Sequence, residues 1–222
     1  MTDSQRHIVV TIDGPAGSGK STVARLVASR LGCSVLDTGA LYRALTLLAL
    51  EQDIAPSDRD GLLQLLSEFD WRQEGARFFL GEREITQEIR SAEVTANVSE
   101  VSAHPEVRKK LIPVQRAQAE GRSIVTEGRD MGTVVFPDAE HQFYLDAELA
   151  VRARRRGQEL EQKGDEVDLG QLQADLKIRD QKDSTRQASP LQVPERATKI
   201  DTTDLTIDQV VERIVSEITG AG

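Results

Sequence analysis

Gly14-Pro15-Ala16-Gly17-Ser18-Gly19-Lys20-Ser21 fills every fixed position of the phosphate-loop pattern G-x-x-x-x-G-K-[ST]. Glycines let the backbone turn so that successive N–H groups face an anion, and the helix that follows adds the partial positive charge of its N-terminus. The flanks suit that role. His7-Ile8-Val9-Val10-Thr11-Ile12 is β-branched and apolar on both faces, as a central parallel strand requires. From Lys20 the apolar residues Val23, Leu26, Val27 and Leu31 recur at helical spacing, and Gly32 supplies a stop. Strand, glycine loop and helix are therefore contiguous.

Outward from this unit the pattern continues as α/β. A short strand at Ser34-Val35-Leu36 precedes a helix from about Gly39 to Gln52. Ser123-Ile124-Val125-Thr126 and Gln142-Phe143-Tyr144-Leu145 read as further buried strands, each ending in charged residues at a carboxyl edge where ligands bind. Ala197 to Asp201 is a weaker final strand, and Thr206 with Gln209 makes a capping box that opens an amphipathic helix. The expected fold is a doubly wound parallel sheet of about five strands with helices on both faces. Between about Asp53 and Ile89 the rhythm breaks: Trp71, Phe78, Phe79 and Leu80 surround the turn candidates Glu74-Gly75 and Gly81-Glu82 and predict a small inserted sheet. Two helices are predicted between Ala92 and Glu120, divided near His104-Pro105. A polar helix over Leu149 to Gln162, a loop at Lys163–Glu166 and a helix over Leu169 to Asp180 read together as a hinged lid.

The chain has 222 residues and a formal net charge of −9, which disfavours polyanions such as nucleic acid and anionic membrane. Basic residues are biased to arginine, 21 against 7 lysines, and the guanidinium fork suits bidentate phosphate contact. Arg59, Arg72, Arg83 and Arg213 read as solvated helix-face charges. Cys33 is the only cysteine, so no internal disulfide forms, and His7, His104 and His141 lack zinc-site spacing. Cys33 reads as a small core residue after the first helix. No window approaches 18 apolar residues, and the N-terminus Met1–Arg6 carries no apolar targeting stretch. The expectation is a cytoplasmic monomer.

The phosphate loop alone is compatible with switches, motors and small-molecule kinases. Asp37-Thr38-Gly39-Ala40-Leu41-Tyr42-Arg43 follows the second strand, where Arg43 could face an acceptor phosphate; equally, Asp37 or Thr38 could cap a helix whose Arg43 is solvated. Glu127-Gly128-Arg129-Asp130-Met131-Gly132-Thr133 and Arg179-Asp180-Gln181-Lys182-Asp183-Ser184-Thr185-Arg186 add two more arginine-bearing segments. No N-K-x-D signature of a guanine-nucleotide switch is present.

Together, in this order and from about residue 8 to 201, these motifs closely resemble the bacterial cytidylate kinase family, a group of phosphate-loop nucleoside monophosphate kinases. The shared stretches are GPAGSGKS, D-[ST]-G-A-x-Y-R, G-R-D-M-G-T-V-V-F-P and R-D-x-x-D-x-x-R. The resemblance implies transfer of a phosphoryl group from ATP to CMP or dCMP with Mg²⁺. It implies ATP contacts from Gly14 through Lys20 and Ser21 to Thr22, with Ser21 also on the metal, and CMP phosphate contacts at Thr38, Arg43, Arg129 and Arg186. Arg179 and Asp183 would approach the sugar; Ser99, Arg108 and Asp130 would read the cytosine edge. Lys20, Arg129 and Arg186 would carry catalysis. Without the resemblance, Ser99 reads as a solvated helix residue and Arg108 as a partner of Glu106. Thr38 stands where many relatives have Ser, and Lys182 and Ser184 where some have Arg. Arg152, Arg154, Arg155 and Arg156 could bring charge to the triphosphate, but four arginines in five positions must send some to solvent. The implied layout is one kinase domain. Its core covers about 7–52, 121–156 and 188–222, its monophosphate-binding region about 53–120 with the β insertion at about 70–86, and its lid about 157–187.

Overall fold

The computed structural model describes residues 7–162, 164 and 166–220. The Met1–Arg6 stretch, and Lys163 and Asp165 of the expected lid loop, lie outside the described residues. The chain divides into two compact units. One comprises Met1–Val35, Gly121–Thr185 and Ser189–Gly222, and the other Leu36–Glu120 with Arg186–Ala188.

The first unit is built on β1 (Val9–Asp13), α1 (Lys20–Leu31) and β2 (Ser34–Asp37), with β2 continuing into the second unit. The second unit opens with α2 (Thr38–Glu51) and α3 (Arg59–Leu65), followed by β3 (Trp71–Glu74), β4 (Arg77–Leu80) and β5 (Arg83–Glu84). A 3₁₀ turn at Glu88–Arg90 leads to α4 (Ala92–Val101) and α5 (Pro105–Ala117). The chain then returns to the first unit through β6 (Ile124–Gly128), a π-helical turn Met131–Val135, β7 (His141–Asp146), α6 (Leu149–Glu161), α7 (Leu169–Thr185), β8 (Thr198–Asp201) and α8 (Ile207–Thr219).

The main sheet runs β2-β6-β1-β7-β8, with β1 parallel to both neighbours and β7 parallel to β8. Strand order therefore reverses at β1, and ligands of such sheets bind beyond the carboxyl end of the strands at that point. The registers set Asp13 opposite Gly128 on one side and Tyr144 on the other. The glycine loop, Arg129 and the end of β7 consequently share one sheet edge.

Both faces of β1 are buried, for different purposes. Val10 and Ile12 join Val125, Phe143, Leu145 and Ile200 in an apolar core completed by Val23 and Val27 of α1 and Val210 and Ile214 of α8. Thr11 and Asp13 point the other way and are also fully buried. Helix ends follow the sequence signals. Gly19 and Gly32 bracket α1 in the left-handed conformation, Asp37 Oδ1 accepts from Ala40 N at 2.9 Å to cap α2, and the Thr206/Gln209 capping box opens α8. Cys33 is half-buried against the apolar core, and burial pushes its thiol pKa up.

In the second unit α2 packs on α4 and the 3₁₀ turn, while α3 packs on α2 and α5. The expected β insertion is the antiparallel sheet β3-β4-β5, turned at Gly75 and Gly81 with positive φ. Trp71, Phe78, Phe79 and Ile85 are buried there, and the register puts Phe79 on the face opposite Trp71 and Phe78. Arg72 and Arg77 cover the Phe79 ring at 4.8 and 5.4 Å.

Candidate active site

Gly14 begins the loop at φ 149°, and a Cβ there would lie 2.1 Å from the Leu145 carbonyl oxygen, so only glycine lets the chain turn this close to β7. Pro15, Ala16 and Ser18 are buried, Gly17 and Gly19 half-buried, and Lys20 opens α1. Lys20 Nζ donates to the Pro15 carbonyl at 2.5 Å and to Ser18 Oγ at 3.2 Å. Neither partner is charged, although the ammonium is buried. Desolvation first, then repulsion from Arg129 and Arg179, push its pKa down to about 7 against attraction from Glu127 and Asp13. Such a group gains from any anion that arrives.

Around it the carboxyl edge collects charge. Arg129 follows β6 and donates from Nε to Asp183 Oδ2 at 2.9 Å. Burial works against its charge, yet Asp183, Glu127 and Asp180 outweigh that and hold its pKa above the ordinary value. Arg179 of α7 is pushed down to about 10 by burial and by Arg129. Asp13 accepts from the backbone N–H of Met131 and Gly132, both at 2.8 Å, and so fixes the π-helical turn that follows Arg129 and Asp130. Burial nevertheless pushes its carboxyl up to about 7. Asp130 is buried and opens the turn. Tyr144, opposite Asp13, is pushed up to about 12 by burial and by Asp146 and Asp180.

Ser21 Oγ donates to Glu127 Oε1 at 2.8 Å. A hydroxyl and a carboxylate beside a phosphate loop are hard oxygen donors of the kind Mg²⁺ accepts, one or two from protein and the remainder from phosphate and water. Ser21 and Glu127 therefore fit a Mg²⁺ that enters with a nucleotide. Among the described residues no group of three or more His, Cys, Asp or Glu is arranged to hold an ion by itself.

The second unit holds Thr38, Arg43, Ser99, Arg108 and Arg186. Thr38 is buried at the first turn of α2. Arg43 Nη1 donates to the Ile89 carbonyl at 3.1 Å and to Thr95 Oγ1 at 2.9 Å, which fixes its guanidinium rather than leaving it on a solvated face. Arg108 does not reach for Glu106. It is buried, donates to the Ser102 carbonyl at 3.1 Å and lies 5.0 Å over the Tyr42 ring. Ser99 is half-buried one turn before Ser102, whose hydroxyl donates to its carbonyl.

The family model described as "Cytidylate kinase" matches residues 10–220. The chain belongs to the cytidylate kinase family. A "Cytidylate kinase" of Caldanaerobacter subterraneus is 47% identical over 211 residues, covering 95% of this chain and 94% of that protein. One from Exiguobacterium sibiricum is 46% identical over 220 residues, with 97% and 99% covered. At the level of fold alone, the crystal structure of an uncharacterized protein from Eubacterium ventriosum aligns with TM-score 0.54 at 15% identity, over 97% of this chain and 99% of that one.

Membership explains the motif order but not the partners each motif uses here. Asp13, Glu127, Asp180 and Tyr144 occupy the carboxyl-edge site of the first unit, and sequence reading singles out none of them as a site residue; Arg152, also there, is one of the four arginines the sequence offers as charge for the triphosphate. Glu127 and Asp180 did lie inside quoted motifs, and Asp13 directly precedes the loop. Of the four clustered arginines, Arg154 is exposed, Arg155 donates to Thr202 Oγ1 and the carbonyls of Thr202 and Leu205, and Arg156 pairs with Glu159. Only Arg152 is buried at the phosphate loop. Arg59 is exposed on α3 and paired with Asp60, as expected of a solvated helix face, whereas Arg72 and Arg83, expected on helix faces too, lie on strands β3 and β5, Arg83 paired with Glu51. No helix among the described residues is long and apolar enough to cross a membrane.

Proposed function

We propose that the chain transfers the terminal phosphoryl group of ATP to CMP or dCMP, yielding ADP and CDP or dCDP. The observation that carries this reading is the buried Lys20 ammonium, held by neutral acceptors at the start of a helix in a glycine loop, within a chain that belongs to the cytidylate kinase family. The loop from Gly14 to Thr22 binds the ATP phosphates. Thr38, Arg43, Arg129 and Arg186 bind the CMP phosphate, Arg179 and Asp183 the sugar, and Ser99, Arg108 and Asp130 the base.

No general base is required, because the attacking oxygen belongs to a phosphate already ionised near neutral pH. Lys20 and Arg129 lower the cost of the charge that spreads over the transferring group, an effect strengthened where water is excluded. Ser21 and Glu127 would hold Mg²⁺, which when bound neutralises phosphate charge. Arg186 acts on the acceptor phosphate, and Lys20, Arg129 and Arg186 are the catalytic residues of this scheme.

The direct test offers CMP, dCMP, UMP, AMP and GMP separately with ATP and Mg²⁺ and identifies the diphosphates formed. CDP and dCDP are the expected main products; a different sole product would remove the base-reading assignments. Asp130→Ala is expected to reduce the CMP-over-UMP ratio of kcat/KM about tenfold, since a carboxylate accepting from the exocyclic amine distinguishes the two bases. An unchanged ratio assigns that reading elsewhere.

ATP binding is also expected to take up protons. At pH 8 Lys20, with its pKa at about 7, is mostly neutral, and a bound polyanion restores its charge by drawing in a proton. Asp13 contributes with the same sign, since added negative charge raises its carboxyl pKa further. Calorimetric titration in buffers of different ionisation enthalpy should show net uptake at pH 8, shrinking towards pH 6, where both groups are already protonated. No buffer dependence at pH 8 would contradict the assignment of Lys20 to the phosphates.

A further inference from the structure

The Ala16 peptide, in the turn of the phosphate loop, is gripped from both sides. Its N–H donates to Asp180 Oδ1 at 3.0 Å, and its carbonyl accepts from Arg152 Nη1 at 2.9 Å. The same Arg152 nitrogen lies 2.5 Å from Asp180 Oδ2, which closes a ring of loop, α6 and α7. Arg152 is anchored in turn by donating from Nε to the Ala147 carbonyl at 2.9 Å. Its side chain is 9% exposed and that of Asp180 18%. Beneath the ring Ala16, Ala153 and Leu176 form a small apolar cluster with Leu149. At Gly17, φ 75°, a Cβ would meet the Arg152 carbonyl oxygen at 3.1 Å, so the loop lies directly on α6.

A carboxylate beside an anion site is unfavourable unless a cation neutralises it, and a buried ion pair is retained at the cost of desolvating both partners. Arg152 meets the first condition. What the arrangement gains is register: Asp180 lies on α7 next to Arg179 and one turn before Asp183, which is bonded to Arg129. Fastening Asp180 to the loop therefore fixes those side chains relative to Lys20.

We propose that Arg152 and Asp180 are positioning residues, a clamp that locks the phosphate loop to α7 and so aligns the α7 side chains for transfer. The alignment half of this inference rests on the phosphoryl-transfer reading; the clamp itself does not.

The test uses the full chain with Asp180→Ala, Arg152→Met and the double variant. Amide exchange at Ala16, measured without nucleotide, should accelerate at least tenfold in Asp180→Ala while the β1 and α1 amides keep their protection. With ATP and CMP, each single variant should lose kcat by 10- to 100-fold with KM for ATP changed less than about fivefold, and the double variant should be no worse than the poorer single. A merely structural pair would lower the melting temperature and leave kcat per folded molecule unchanged. That result, or Ala16 exchange equal to the parent, overturns the proposal. If Asp180→Ala fails to fold, Asp180→Asn is read by the kcat and melting criteria, since it keeps the volume and an acceptor for the Ala16 amide but loses the charge that holds Arg152. The exchange arm needs no acceptor nucleotide, so a failure of the CMP reading leaves it decisive for the clamp.

Discussion

Replacing Lys20 by Met should lower kcat/KM by about 10³-fold or more and, at the same time, raise the melting temperature. The loss follows from removing the one ammonium at the loop, whose interaction with the transferring group strengthens as charge moves towards the leaving oxygen. The gain follows from its surroundings. A buried ammonium held by the Pro15 carbonyl and Ser18 Oγ, with its pKa pushed from 10.5 down to about 7, is less stable charged in the fold than in water. The sign is fixed: between pH 7 and 10.5 the unfolded chain binds more protons at Lys20, so its contribution to stability rises with pH across that window and is least favourable below it. Met fills similar volume without the charge. At pH 6.5 an increase of at least about 3 °C is expected, equivalent to about 1 kcal/mol in a chain of this size. Calorimetry and steady-state kinetics check both halves; a lower melting temperature would mean that Lys20 is a structural member of the loop rather than a strained functional one.

Arg129→Gln should cost both activity and stability, and the two losses should separate in a second variant. Arg129 is bonded to Asp183 with both side chains largely buried, at 17% and 7% exposure. Removing Arg129 takes the bonded cation from a buried carboxylate and leaves it the attraction of Arg179, a loss on the order of 3 kcal/mol. kcat/KM for CMP should fall about 10²-fold or more, because the guanidinium is also taken from the transferring charge. Adding Asp183→Asn should restore most of the stability but none of the activity. If the double variant regained activity, Arg129 would be needed only to neutralise Asp183.

Legibility in the sequence followed the range of the interactions. β1, its loop and α1 were readable because a two-faced apolar strand, a glycine run and a 3.6-residue period succeed one another without a gap. The β insertion was readable from its turn residues. α3 was not anticipated: it has seven residues, Gly61 interrupts it, and only Leu62 and Leu65 are buried, although Asp58 caps it by accepting from Gly61 N. α7 runs five residues past the expected Asp180, as far as Thr185; Ser184 and Thr185 are ordinarily poor helix formers, but here their hydroxyls bond back to the carbonyls of Asp180 and Gln181. The π-helical turn at Met131–Val135 has no local period at all. It is held by Asp13, 118 residues away from Met131 in the chain.

The same distinction divides the site. Lys20 and the loop glycines stand in a motif whose spacing is local, whereas roles for Arg129 and Asp183 come only from the family resemblance. Asp180 stood in the R-D-x-x-D-x-x-R segment without a role, and Arg152 was one of four equivalent-looking arginines; only their meeting at Ala16, 164 residues from Asp180, sets them apart. Arg108 shows the converse. Sequence neighbours offered it Glu106, whereas the folded chain buries it over Tyr42 with a carbonyl as acceptor.

The central claim is that a phosphoryl group passes from ATP to CMP in this site rather than to water. It is tested most directly by following the label from γ-³²P-ATP in the presence of Mg²⁺ and CMP. The account predicts that label leaves ATP into CDP, that little inorganic phosphate forms, and that omitting CMP stops the loss of ATP. Label released mainly as inorganic phosphate, at a rate independent of CMP, would contradict it.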